Sequence, residues 1–139
     1  MINVDRRTVL CALLASTALS DMRALAATAD QQKFIDAAFA MKRDAEQTGD
    51  QPYGAVIARH DAIVGWGPSR VVVRRDPTAH AEREAIRDAQ RHLGRDLSGC
   101  VMYSTSRPCA ACEAAAAEAN IERMFFGAAA TDAGRPGKG

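Results

Sequence analysis

The stretch "GCVMYSTSRPCAACEAAAAEANIERMFFG", residues 99–127, decides the fold. Residues 99–105 are apolar and aromatic behind a glycine, the pattern of a strand. Pro108 suits the opening of a helix, and the alanine-rich run to about Asn120 continues it. Residues 123–127, "RMFFG", return to strand character. A strand, a helix and a second strand in this order make a right-handed parallel crossover. The chain is therefore expected to be α/β.

Upstream, Asp30 is placed to cap a helix from about Gln31 to Gln47, with Phe34, Ala38, Met41 and Ala45 on one face. "YGAVIAR" (53–59) and "AIVGW" (62–66) read as a hairpin turning at His60-Asp61. "RVVVRR" (70–75) is extended by propensity but runs into Asp76-Pro77, where a helix can begin; that helix reaches Leu93 and Gly94 closes it. The tail "AAATDAGRPGKG" (128–139) has no period and is expected to be loop. The expected architecture is a three-layer-type sandwich, a single mixed sheet with helices packed on it.

The 139 residues hold one domain. Apolar residues make up 47%, enough for a core, and their alanine content implies close approach of elements. Eighteen basic and seventeen acidic residues give a net charge of +1. The domain-wide positive field of a polynucleotide binder is absent, which favours a small substrate over nucleic acid, although Arg70, Arg74, Arg75 and Arg107 could form a local phosphate patch or simply be solvated edges.

Residues 1–26 are expected to stand outside the fold. Arg6-Arg7, an apolar run from Val9 to Leu19 and the small-x-small exit Ala24-Leu25-Ala26 form the pattern of an export signal. The arginine pair resembles a twin-arginine leader. The mature domain is then 27–139 and periplasmic, with cytoplasmic residence as the alternative. Removal of the leader takes Arg6, Arg7, Arg23, Asp5 and Asp21, leaving fifteen basic and fifteen acidic residues. Cys11 goes with it. Of the remaining cysteines, Cys100 reads as a buried small hydrophobe.

Cys109 and Cys112, at i and i+3, share one face of a helix. Just after Pro108, at the positive end of the helix dipole, they favour the thiolate form. Two thiolates there suit Zn²⁺, although redox pairs share the C-x-x-C spacing. His80 and Glu82, in "DPTAHAEREAIRDAQ" (76–90), point some 200° apart on the side of a helix. They can meet at one ligand only off its end. The reading is two helix N-termini facing each other, with His80, Cys109 and Cys112 as three ligands and a fourth position open, the pattern of a catalytic zinc. Glu82 is the carboxylate that moves protons. Glu84, its neighbour, is taken as a solvated helix charge.

H-x-E followed by P-C-x-x-C is a signature of zinc-dependent nucleobase deaminases. With "PYGAVI" and "DPTAHAE", the chain resembles the cytidine deaminase-like superfamily, and within it the bacterial guanine deaminases and tRNA adenosine deaminases, over about Phe34 to Asp132. The resemblance implies hydrolytic deamination with one zinc per chain, Glu82 as general acid/base and a contact from the Ala81 backbone N–H to the base. The expected substrate is a small purine base or nucleoside. A nucleic-acid adenosine or cytidine is the alternative, and a zinc scaffold without turnover the second.

Relatives carry an asparagine that reads the base where this chain has Ser69, and a glutamate where it has Arg107. They also continue beyond the fourth strand, so the fold is expected to be C-terminally short. Tyr53 could stack on a base or pack against the sheet, and Trp66 is expected to pack. A homodimer is expected, both from the relatives and from an edge left uncovered at "RMFFG".

Overall fold

A computed structural model describes residues 27–137 of the chain. The expected leader lies outside the described residues. In chain order the elements are α1 (Ala29–Gln47), β1 (Gly54–Arg59), β2 (Ala62–Pro68), α2 (Ala81–Leu93), β3 (Cys100–Ser104), α3 (Ala110–Glu118), β4 (Arg123–Phe126) and β5 (Thr131–Gly134). They form one mixed sheet of order β2-β1-β3-β4-β5. β1 runs antiparallel to both β2 and β3, whereas β3 and β4 are parallel, as the crossover requires.

The alternation of β1 assigns the layers. Ala55 and Ile57 face one way, toward Ala81, Ala85, Ile86 and Ala89 of α2 and Ala116 of α3. Val56 and Ala58 face the other way, toward Phe34, Ile35 and Ala38 of α1. On that second face Tyr103 bridges Phe34 and Phe125, with ring centroids 5.2 and 5.3 Å away. The sheet is thus sandwiched between α1 and the α2/α3 pair.

Small side chains let the layers approach closely. Gly67 of β2 lies under the N-terminus of α2, where a Cβ would overlap the carbonyl oxygen of Ala81 and the backbone nitrogen of Ala85. That contact fixes how deep the first turn of α2 sits. The backbone N–H of Trp66 adds a bond of 2.9 Å to Asp88 of the same helix.

Several local expectations are corrected. Thr28, rather than Asp30, caps α1: its hydroxyl accepts from the Gln31 N–H while the Gln31 side chain accepts from the Thr28 N–H, a reciprocal box that a single aspartate does not supply. "RVVVRR" forms turns. Two of its amides are bound within the segment, Arg74 N–H to Arg70 O and Arg75 N–H to Val72 O, while those of Val72 and Val73 go to the Asp50 carboxylate, and β propensity yields to these bonds. Val72 and Val73 are left exposed. Pro77 does not open α2: an Asx-type turn, with Asp76 accepting from the N–H and hydroxyl of Thr78, holds the chain out of the helix until Ala81.

The tail is not all loop. β5 pairs antiparallel with β4, and Arg123 clamps Asp132 across the pair. The edge expected at "RMFFG" is therefore covered, and that ground for a dimer is withdrawn. Trp66 points outward, 43% exposed, instead of packing between layers.

The Gly67 contact is testable. Gly67→Ala is expected to cost about 1–3 kcal/mol, the usual range for overpacking a close contact, and to weaken metal retention by lifting the start of α2. Chemical denaturation with a zinc assay measures both, and a variant as stable as the parent would show that the contact yields without strain.

Candidate metal centre and active site

Both helices that carry the motifs begin at the same place. His80 is the N-cap of α2, with extended backbone (φ −62°, ψ 152°). Cys109 is the N-cap of α3 (φ −71°, ψ 166°), not a residue of its first turn, and Cys112 stands three residues on. Pro108 confines Arg107 to extended backbone, which starts α3 at this point. The extended caps throw His80 and Cys109 off the helix ends, where side chains of different helices can meet.

The three do meet. His80 Nδ1 lies 3.4 Å from Cys112 Sγ and 3.6 Å from Cys109 Sγ, and the three donor atoms all fall within 4.8 Å of one another. Tetrahedral zinc bonds of about 2.1 Å to nitrogen and 2.3 Å to sulfur would hold nitrogen and sulfur about 3.6 Å apart. One imidazole and two thiols form a soft set that favours zinc over magnesium or calcium. His80, Cys109 and Cys112 are thus positioned to bind a single zinc. Cys112 is buried, His80 half-buried and Cys109 exposed. Burial pushes the Cys112 thiol up, and the Glu82 charge and Cys109 push it further; a divalent cation at bonding distance reverses this and removes the proton.

Glu82 is buried at the second position of α2. Burial raises its carboxyl above the ordinary value, and its own backbone N–H, the Cys112 side chain and His80 offset this only in part. Glu82, His80 and Cys109 line one cleft of about 380 Å³ together with Tyr53, Ser69 and Arg107. Gln51 and Ser106, which carried no motif in the sequence, complete it.

The remaining candidates sort themselves by position. Tyr53 lines the cleft and is 43% exposed, which favours its availability for stacking over packing. Ala81 is fully buried in the core and does not line the cleft with its side chain; only its backbone N–H, at the first helical position and free of an intrahelical partner, remains available. Ser69 lines the cleft, but its hydroxyl donates to Asp50 Oδ1 at 2.8 Å. A hydroxyl has one proton, so Ser69 is left as an acceptor.

Asp50 was not legible as a site residue. Its carboxylate also accepts the N–H groups of Gln51, Val72 and Val73, tying the end of α1 to the 70–75 turns. Burial acts to raise its pKa, but these bonds outweigh it and hold the carboxyl below the usual range.

Glu84 is not a solvated charge. It is buried and accepts from Arg74 at 2.6 Å and Arg87 at 2.7 Å, and Arg87 also reaches Thr78. This network locks the 70–78 segment onto α2. Arg70 is paired with Asp44 at 2.9 Å. With Arg70 and Arg74 so engaged, a phosphate patch of all four arginines, one of the two readings the sequence left open, does not form, and Arg107 alone of that set lines the cleft.

Comparison with known proteins agrees with this geometry. Residues 28–128 match the cytidine and deoxycytidylate deaminase zinc-binding region, and the chain belongs to that family. It is 41% identical over 87 residues to the guanine deaminase of Bacillus subtilis (strain 168), covering 62% of this chain and 56% of that protein. It is 35% identical over 99 residues to the tRNA-specific adenosine deaminase of Aquifex aeolicus (strain VF5), covering 70% and 66%. The chain therefore spans roughly three fifths of these relatives' length. Among solved structures, one from a study of A-to-I editing by tRNA:A34 deaminases superposes with a TM-score of 0.67 at 33% identity, over 70% of this chain and 76% of that one. The Bacillus subtilis guanine deaminase structure gives 0.66 at 36%, over 69% and 62%. Both substrate types appear among the relatives, and neither decides the specificity of this chain.

Two outcomes follow from the site. Purified protein is expected to carry about one zinc per chain, lost in Cys109→Ala/Cys112→Ala together with stability, since binding stabilises the native state; metal analysis showing full retention would refute the site. Asp50, with its folded pKa depressed, adds stability that is present above the unfolded value, near 4, and lost as pH falls through the lower folded one. Asp50→Asn should flatten the acid limb of a plot of Tm against pH.

Proposed function

We propose that the protein hydrolytically deaminates a purine base or nucleoside, releasing ammonia. The observation that carries this reading is the placement of a buried carboxylate, Glu82, in the same cleft as the three-donor cluster of His80, Cys109 and Cys112.

Zinc bound at these three residues supplies Lewis-acid activation of a water molecule. The chain's own residues do the rest. Glu82, held at the start of α2, accepts a proton from the attacking water and delivers it to the adjacent ring nitrogen. It then moves a second proton to the amino group, which leaves as ammonia while the ring carbon keeps the oxygen as a carbonyl. Tyr53 offers an aromatic face to the ring, and Ser69, its proton engaged by Asp50, offers an acceptor to a ring or exocyclic N–H.

The guanine-type reading is supported by the 41% identity to a guanine deaminase and by the near-neutral charge of the chain. A tRNA adenosine is the second reading, supported by the tRNA-specific relatives.

An ammonia-release screen over guanine, adenine, cytosine, their nucleosides and single-stranded oligonucleotides separates these. Glu82→Gln is expected to retain zinc and fold yet lose about 10²–10⁴-fold in turnover. Undiminished turnover in that variant would remove Glu82 from the mechanism.

A further inference from the structure

Arg107 stands out among the residues of the cleft. It is the one arginine among the residues that line it, two positions before Cys109. No carboxylate lies within ion-pair distance of it among the described residues, whereas Arg70, Arg74 and Arg87 all have such partners. Its guanidinium rests over the Phe126 ring, 5.7 Å from the centroid, an arrangement that orients the group and leaves its N–H donors available.

The backbone that carries Arg107 is held on both sides. The Ser106 carbonyl accepts the Ser104 hydroxyl at 2.8 Å, and the following residue, Pro108, is buried. A guanidinium so mounted is pre-organised, which reduces the ordering cost of binding an anion. Its planar fork matches phosphate oxygens two at a time. The anionic derivatives of a purine nucleoside are its phosphate esters; of the cleft's other polar groups, His80, Glu82 and Cys109 belong to the metal and proton-transfer site, and Gln51, Tyr53, Ser69 and Ser106 are neutral, so Arg107 is the cation available to an anion there.

We propose that Arg107 makes this cleft a reader of phosphorylated substrate, so that the purine it takes is presented as a nucleoside monophosphate or as a phosphodiester-linked nucleotide in preference to the free base. The inference rests on the deaminase reading of the same cleft and names its substrate class. Phosphate enters at the mouth beside Arg107, and the ring lies between Tyr53 and the Glu82 side of the cleft.

The test is equilibrium binding, which is independent of turnover. Zinc-loaded full-length Glu82→Gln protein is titrated calorimetrically with guanosine 5′-monophosphate and guanosine, with the adenosine pair, and with a single-stranded pentanucleotide containing the same base. The monophosphate is expected to bind more tightly than its nucleoside. Arg107→Ala is expected to lower that affinity ratio about 10- to 100-fold, the usual effect of truncating a charged hydrogen-bonding group, and Arg107→Lys by less. Arg43→Ala, on α1 and outside the cleft, is the control. Tighter binding of the pentanucleotide than of the monophosphate, lost in Arg107→Ala, assigns the phosphate to a polynucleotide; the reverse order assigns it to a free nucleotide. A ratio unchanged in Arg107→Ala, or lowered as much by Arg43→Ala, overturns the proposal. Absence of ammonia release in the parent protein with this ratio intact would instead overturn the deaminase chemistry and leave phosphate recognition standing.

Discussion

The structure depends on bringing the N-termini of α2 and α3 to one point. His80 leaves the end of the first helix, Cys109 and Cys112 the start of the second, and their donor atoms converge within 4.8 Å. Helix N-termini carry unsatisfied N–H groups and the positive end of the dipole. Two of them face to face would repel unless something electron-rich lay between. A pair of thiolates answers that need, and a zinc ion held by them would be what keeps Cys112 deprotonated against the burial and the Glu82 charge that push its thiol up. The electrostatics of the fold and of the metal site are the same problem, solved by the same three residues.

Holding that meeting point in place is work for residues that touch no ligand. Gly67 lets the first turn of α2 settle against β2. Glu84 gathers Arg74 and Arg87 and so ties the 70–78 segment to the helix. Asp50 draws the same segment toward the end of α1 from the other side. A buried carboxylate without partners would be strongly unfavourable. Both are fully engaged, and no buried side-chain nitrogen or oxygen among the described residues lacks a hydrogen-bond partner. Polar networks in this condition specify one loop conformation and not several.

The cleft inherits its character from these constraints. Because the Ser69 proton is committed to Asp50, that wall accepts hydrogen bonds and cannot donate them. Arg107, by contrast, is a donor with no committed partner. The cleft thus combines His80, Cys109 and Glu82 with an acceptor at Ser69 and a cation at Arg107.

The candidate metal donors His80, Cys109 and Cys112 were legible in the sequence because spacing, a preceding proline and residue type limit what a helix terminus can do, and because their joint motif resembles a known family; the structure brings their donor atoms together and places Glu82 in the same cleft. The crossover from Cys100 to Phe126 was legible for the same reason, since strand and helix periods differ and the order of segments dictates a parallel pair. What the sequence could not reveal depended on partners distant along the chain. Glu84 reads as a surface charge until the 70–78 segment folds over it. "RVVVRR" is ambiguous, extended by propensity yet leading to a helix start, until Asp50, some twenty residues earlier, takes the amides of Val72 and Val73. The tail reads as loop until β4 offers an unpaired edge. Local patterns determine which groups a segment presents; only the tertiary structure determines which distant group satisfies them, because burial and hydrogen-bond pairing are properties of a place in space and not of a position in the chain.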